Sequence, residues 1–117
     1  MVTEIGKELR KLRIDKDERL LDMAEKVERS PAFLSAVETG RKAPPDGFGE
    51  MIVKAYRLTG EAAERLLSAF DKSRDNFRIY ALNPFARDTA GLLARKFDTL
   101  SDDQLKEIQT ILKRGEK

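Results

Sequence analysis

Three cations bracket a run of small side chains in the middle of this chain. Arg29 stands before it, and Arg41 and Lys42 stand after it. Between them lie Ser30, Pro31, Ala32, Ser35, Ala36, Thr39 and Gly40. Guanidinium and ammonium groups bind anionic oxygen, phosphate above all, and hydroxyls and glycine amides add neutral hydrogen bonds. The same charges on a loop can also be no more than solvated. Covalent chemistry has little to work with. The chain has no Cys and no His, which removes thiolate and imidazole as nucleophile, base or metal ligand. No Gly-rich phosphate loop, nucleophile elbow or metal-ligand spacing occurs. The carboxylates alternate with Lys and Arg, as on solvated helix faces. The expectation is a binding protein with no catalytic residue, no cofactor and no metal.

Two short helices must carry these groups. Ala24 and Val27 are three apart, and so are Leu34 and Val37; each pair shares one helix face. The apolar period breaks at Arg29 and Ser30. Ser30-Pro31 then starts a new helix, with a hydroxyl to accept an orphan amide and a proline at the first helical position. Thr39-Gly40 closes it, because glycine takes a left-handed cap without penalty. A helix, a tight turn and a second helix at a steep crossing form a helix-turn-helix.

The stretch resembles the XRE, or Cro/CI-type, helix-turn-helix family of phage and plasmid repressors. The resemblance rests on Ala24 after an apolar residue, Val27, Ser30, Phe33-Leu34-Ser35, Val37-Glu38, Gly40 and Pro44, with the LRKLR run at 9–13 upstream. It covers residues 5–70. It implies a mainly α fold: a five-helix, lambda-repressor-like DNA-binding domain over residues 1–73. It also implies that the third helix enters the major groove of double-stranded DNA, presenting Ser30, Pro31, Ala32, Ser35 and Ala36. Relatives often hold long donors at these positions; three here are Pro or Ala. Specificity is then left to alanine contacts with thymine methyls, serine hydroxyls and DNA shape, or to a guanine contact from Arg29, Arg41 or Lys42. Phosphate contacts fall to Arg41, Lys42, the amides of Thr39 and Gly40, and the start of helix 2 at Arg19 and Leu20, where the family usually has a glutamine. The family also pairs Arg13 with Glu38, tying helix 1 to helix 3; the alternative is an exposed pair worth little.

Other elements follow from pattern. Thr3 caps a first helix with Ile5, Leu9 and Leu12 inward, ending near residues 15–17. Leu20 and Leu21 begin the second, which buries Met23, Ala24 and Val27. Prolines 44 and 45 force a loop. Phe48, Met51, Ile52 and Ala55 mark helix 4 over 47–56. Thr59 caps helix 5, which buries Ala62, Ala63, Leu66, Leu67 and Phe70. Composition turns polar at 71–76. Phe77, Ile79 and Ala81 then alternate with Arg78, Tyr80 and Leu82, a short strand signal; an extended loop is the alternative. Phe85, Leu92, Leu93 and Phe97 have helical spacing. Ser101 and Gln104 form a capping box before the stripe of Leu105, Ile108, Ile111 and Leu112, and Gly115 stops the last helix.

A lone strand needs a partner, and the economical one is its copy in a second subunit. Residues 74–117 are therefore expected to be a strand-helix-helix dimerisation region using Phe77, Ile79, Tyr80, Leu82, Phe85, Leu92 and Leu93. Two functions fit. One is a homodimeric repressor on an inverted-repeat operator. The other is an antitoxin that represses its own operon and binds a toxin through this tail; two well-formed helices favour the first. An enzyme is disfavoured. Net charge is only +2, which points weakly to nucleic acid. No apolar run is long enough for a bilayer, so a cytoplasmic location is expected.

Overall fold

The computed structural model describes residues 2–114, which contain seven α-helices. They fall into two compact units that divide after Arg78.

The first unit holds α1 (Glu4–Lys16), α2 (Leu20–Val27), α3 (Pro31–Glu38), α4 (Phe48–Ala55) and α5 (Gly60–Lys72). Each boundary has a local cause. The Thr3 hydroxyl accepts from the Gly6 amide at 3.0 Å and starts α1. The Ser30 hydroxyl accepts from the Phe33 amide at 3.0 Å, with Pro31 in the first turn of α3. Both satisfy amides that a helix start leaves without a carbonyl. Gly40, at φ 79°, turns the chain out of α3. Asp17 and Glu28 end α1 and α2 in the same left-handed region, at the modest strain a side chain meets there. Thr59 stands at the start of α5, yet its hydroxyl makes no capping bond.

One core joins the five helices. It is built from Ile5 and Leu9, Met23, Ala24 and Val27, Leu34 and Val37, Phe48, Ile52 and Tyr56, and Leu66, Ala69 and Phe70. Helix α1 packs on α3 and α5, α2 on α3 and α4, and α4 on α5. The frame is thus closed around α3 from one side only. The inward face of α5 is covered only from Leu66 onward: Ala62, on that face but in the first turn, is exposed, while Leu66, Ala69 and Phe70 are buried. Leu21 is also on the outside, 49% exposed, while Leu20 packs against the core.

The expected strand at 77–82 is not formed; no strand occurs among the described residues. Alternation alone does not make a strand, because the backbone must also find a ladder partner. The start of this segment is held otherwise. Arg74 lies 5.7 Å from the Phe77 ring centre and pairs with Asp46, and Arg78 Nε lies 3.7 Å from Asp46. These contacts keep Phe77 and Arg78 with the first unit.

The second unit holds α6 (Pro84–Lys96), a short 3-10 turn (Phe97–Thr99) and α7 (Asp102–Lys113). Asn83 caps α6 by accepting from the Ala86 amide at 2.8 Å. The Ser101–Gln104 capping box forms in both directions, at 3.2 and 2.9 Å. Gly115 lies outside the described residues. No residue of α6 or α7 is buried.

Candidate nucleic-acid interface

Helix α3 is two-sided because its sequence is. Leu34 and Val37 are fully covered, and Phe33 sits edge-on against Phe48 with ring centres 5.8 Å apart. Ser30, Pro31 and Ala32 are exposed, and Ser35, Ala36 and Thr39 are half-exposed. Ala32, Ser35, Ala36 and Thr39 recur at three- and four-residue spacing, so they form one stripe. This outward stripe carries no long side chain of its own.

The cations stand around that stripe in three different ways. Arg41 folds back over it: Nε donates to the Thr39 hydroxyl at 3.1 Å and Nη2 to the Ser35 hydroxyl at 3.3 Å. Thr39 in turn donates to the Ser35 carbonyl at 2.8 Å. The Lys42 amide donates to the Ala36 carbonyl at 3.1 Å, and its ammonium lies 5.7 Å from the Phe33 ring centre. The Arg29 guanidinium lies 5.9 Å from the same ring. All three remain solvent-exposed.

At the start of α2, Arg19 caps the helix from its own backbone. Its amide donates to the Asp22 carboxylate at 2.8 Å, and its guanidinium reaches the same carboxylate at 3.4 Å. These bonds hold the Asp22 carboxyl below its usual range and raise the Arg19 guanidinium above its own. Asp22 already complements the helix dipole here. Leu20 is half-buried and offers only its backbone.

The angle of α3 is set from α1. Arg13 forks onto Glu38, through Nη1 to Oε2 and through Nη2 to Oε1 at 3.1 Å. The Glu38 side chain is 3% exposed and that of Arg13 11%. Arg10 Nε adds a third donor at 3.4 Å. The backbone repeats the attachment. The Glu38 carbonyl accepts from the Thr3 amide at 2.9 Å and from the Thr3 hydroxyl at 3.1 Å. Gly6 permits this approach: a β-carbon there would lie 2.3 Å from that carbonyl oxygen. Sequence reading missed Gly6 and Arg10. Arg10 had a signal, being one turn before Arg13 on the same face; Gly6 had none without knowledge of what passes it.

A second polar cluster, also unforeseen, ties α2 to α4. Glu18 accepts from Lys26 at 2.5 Å and from the Tyr56 hydroxyl at 2.6 Å. The two bonds, Lys26 first, pull the Glu18 carboxyl down, while burial and then the Glu18 bond push the Tyr56 phenol up.

The residues expected to pair subunits are divided between the two units. Phe77 belongs to the first unit, and Ile79, Tyr80, Leu82, Phe85, Leu92 and Leu93 to the second. All are exposed except Leu93, which is half-buried. Among the described residues no acidic cluster could hold a metal ion, and no helix is long and apolar enough to cross a membrane.

No curated protein and no solved structure matches the chain. A protein-family model does: the helix-turn-helix domain matches residues 4–66, more than half of the sequence. Such domains mark DNA-binding regulators, and enzymes are not typical of them. The matched stretch runs from the first turn of α1 to Leu66 of α5, and so includes the α2–turn–α3 pair and its outward stripe. The chain belongs to the helix-turn-helix domain family, of the XRE-like kind that its sequence resembles.

Proposed function

We propose that the protein is a sequence-specific transcriptional repressor, acting in the cytoplasm as a homodimer on an inverted-repeat operator. The observation that carries the reading is the uncovered outward stripe of α3, flanked by Arg29, Arg41 and Lys42, on a helix whose opposite side is locked into the core. Helix α3 lies in the major groove, where Ser30, Pro31, Ala32, Ser35 and Ala36 meet base edges. Lys42, Arg29 and Arg19 meet the backbone, which supplies most of the affinity; the Thr39 and Gly40 amides, expected there from the sequence, are spent instead on the Ser35 and Val37 carbonyls, at 3.1 and 3.3 Å.

The dimer is supported by the second unit. Two capped helices that bury none of their own residues, and that leave Phe85, Leu92, Ile111 and Leu112 more than half exposed, have an apolar face to cover. A second copy covers it and spaces two α3 helices on the duplex. The same face would suit a toxin, which makes co-purification of a second protein the sign of the antitoxin alternative.

The test is selection of bound sites from random duplex DNA by the full-length protein. Recovery of two inverted half-sites is the expected result. Recovery of no duplex at low salt would overturn the reading.

A further inference from the structure

We infer that Arg41, although it follows α3 in sequence, is the residue that reads a guanine for this protein, with Ser35 and Thr39 as its positioning residues. The inference rests on the DNA-binding reading above and assigns its specificity.

The α3 stripe itself is poor in readers. Pro31, Ala32 and Ala36 have no donor, and the two serines bond to any base. Among the described residues, the guanidinium bonded to the stripe's hydroxyls is that of Arg41, and the way it is held matters. A guanidinium has a side edge, Nε with Nη2, and an end edge, Nη1 with Nη2. The side edge is spent on the Thr39 and Ser35 hydroxyls, at 3.1 and 3.3 Å. The end edge has no partner among the described residues. Two parallel N–H groups on that edge are the donor set that matches O6 and N7 of guanine.

The support is built in series. Thr39 donates its own proton to the Ser35 carbonyl at 2.8 Å, so its oxygen is turned to accept from Arg41. Ser35 lies one helical turn before Thr39, on the same face. Both acceptors therefore belong to the element that enters the groove, and the guanidinium moves with α3 rather than with the loop. Holding an arginine before it binds lowers the entropy lost on binding. The short neighbours leave room for it: nothing longer than a proline ring stands at 31, 32 or 36. Lys42 differs, since its ammonium lies near the Phe33 ring and not over the hydroxyls.

The experiment uses full-length protein. Preferred duplexes are selected with the wild type, and affinities are then measured for every single base-pair change, for wild type, Arg41→Lys, Arg41→Ala and Ser35→Ala. The expected result is one G·C pair per half-site at which the wild type discriminates by roughly 5- to 150-fold. Both Arg41 variants lose that discrimination and keep it elsewhere, because lysine cannot fork. Ser35→Ala weakens it at the same pair. A uniform loss on every duplex with a flatter salt dependence, in Arg41→Ala, would overturn the inference in favour of a phosphate contact. So would unchanged preference in both Arg41 variants, or a Ser35→Ala variant that keeps the full discrimination at that pair. Each of these leaves the wild type binding DNA, whereas failure of the DNA-binding reading shows as a wild type that retains no duplex at all.

Discussion

Arg13 and Glu38, 25 residues apart in sequence, meet as a two-pronged ion pair with the carboxylate almost wholly out of water. Such a pair is weak evidence of net stability, but breaking it is costly because one charge stays behind in the core. Arg13→Ala is expected to lower unfolding free energy by about 3–5 kcal/mol. Arg10, at 3.4 Å, softens the loss toward the lower figure. Urea unfolding measures it. A drop below about 0.5 kcal/mol would place the pair among ordinary surface contacts.

Gly6→Ala sets two effects against each other. Helix propensity favours alanine by about 1 kcal/mol. The added carbon, however, meets backbone first, at 2.3 Å from the Glu38 oxygen and 2.9 Å from its Cα, besides the Val2 side chain at 2.8 Å. Forcing atoms into filled space costs about 1–3 kcal/mol, so a net destabilisation on the order of 1 kcal/mol is expected. The same substitution pushes the end of α3 and should weaken operator binding. An alanine variant as stable as wild type would show that α1 and α3 separate freely.

The Lys26–Glu18–Tyr56 cluster gives stability a pH dependence at both ends, with Lys26 and then Tyr56 lowering Glu18, and burial and then Glu18 raising Tyr56. Glu18 has its carboxyl lowered from an ordinary 4.5 in the folded protein. Between that lowered value and 4.5 the unfolded chain holds more protons, so stability is full above 4.5 and drains as acid crosses the folded value. Tyr56 runs the other way. Its phenol is raised from an ordinary 10.0, so above pH 10 only the unfolded chain ionises and stability falls. Tyr56→Phe should flatten the alkaline limb, and Glu18→Gln the acid limb. Thermal melts from pH 3 to 11 read both, and limbs unchanged in the variants would assign them to other groups.

Lys42→Ala is expected to weaken binding to all duplexes alike and to reduce the slope of log affinity against log salt by about 0.9, one phosphate contact. Titrations at four salt concentrations decide it. An unchanged slope removes Lys42 from the backbone contacts.

Removing residues 79–117 leaves the first unit with its core and the Asp46 contacts to Arg74 and Arg78 intact. A folded monomer is expected by sedimentation, with operator affinity lower by about 10²-fold or more as two linked half-sites become separate. Equal affinity would refute the dimer.

Much of the first unit could be read from residue order. Ser30-Pro31 and Thr39-Gly40, like Ser101 with Gln104 in the second unit, name their own helix ends, because a cap is a local bond between near neighbours. What needed the structure was anything decided at a distance. Thr59 sits where a cap should, yet its hydroxyl does not bond. Ala62 and Ala69 share one face of α5 two turns apart, yet only Ala69 is buried: periodicity names the face, but how far along it the core reaches is set by the packed neighbours. Alternation at 77–82 predicts a strand only if a ladder partner is present. On the reading surface, the stripe of α3 was legible, but Arg41 bending back to Ser35 was not: a loop residue's direction is set by three-dimensional neighbours.

Glu38 grips α1 with its carboxylate near one end and with its carbonyl near the other. Both anchors lie at the C-terminal end of α3, and the tip at Ser30, Pro31 and Ala32 takes no share of them. The outward side of α3 thus behaves as an interchangeable bit in a fixed chuck. On the proposed DNA-binding reading, Ala32 and Ala36 are the positions to exchange when retargeting the protein, whereas Ser30 and Pro31 start the helix and belong to the scaffold.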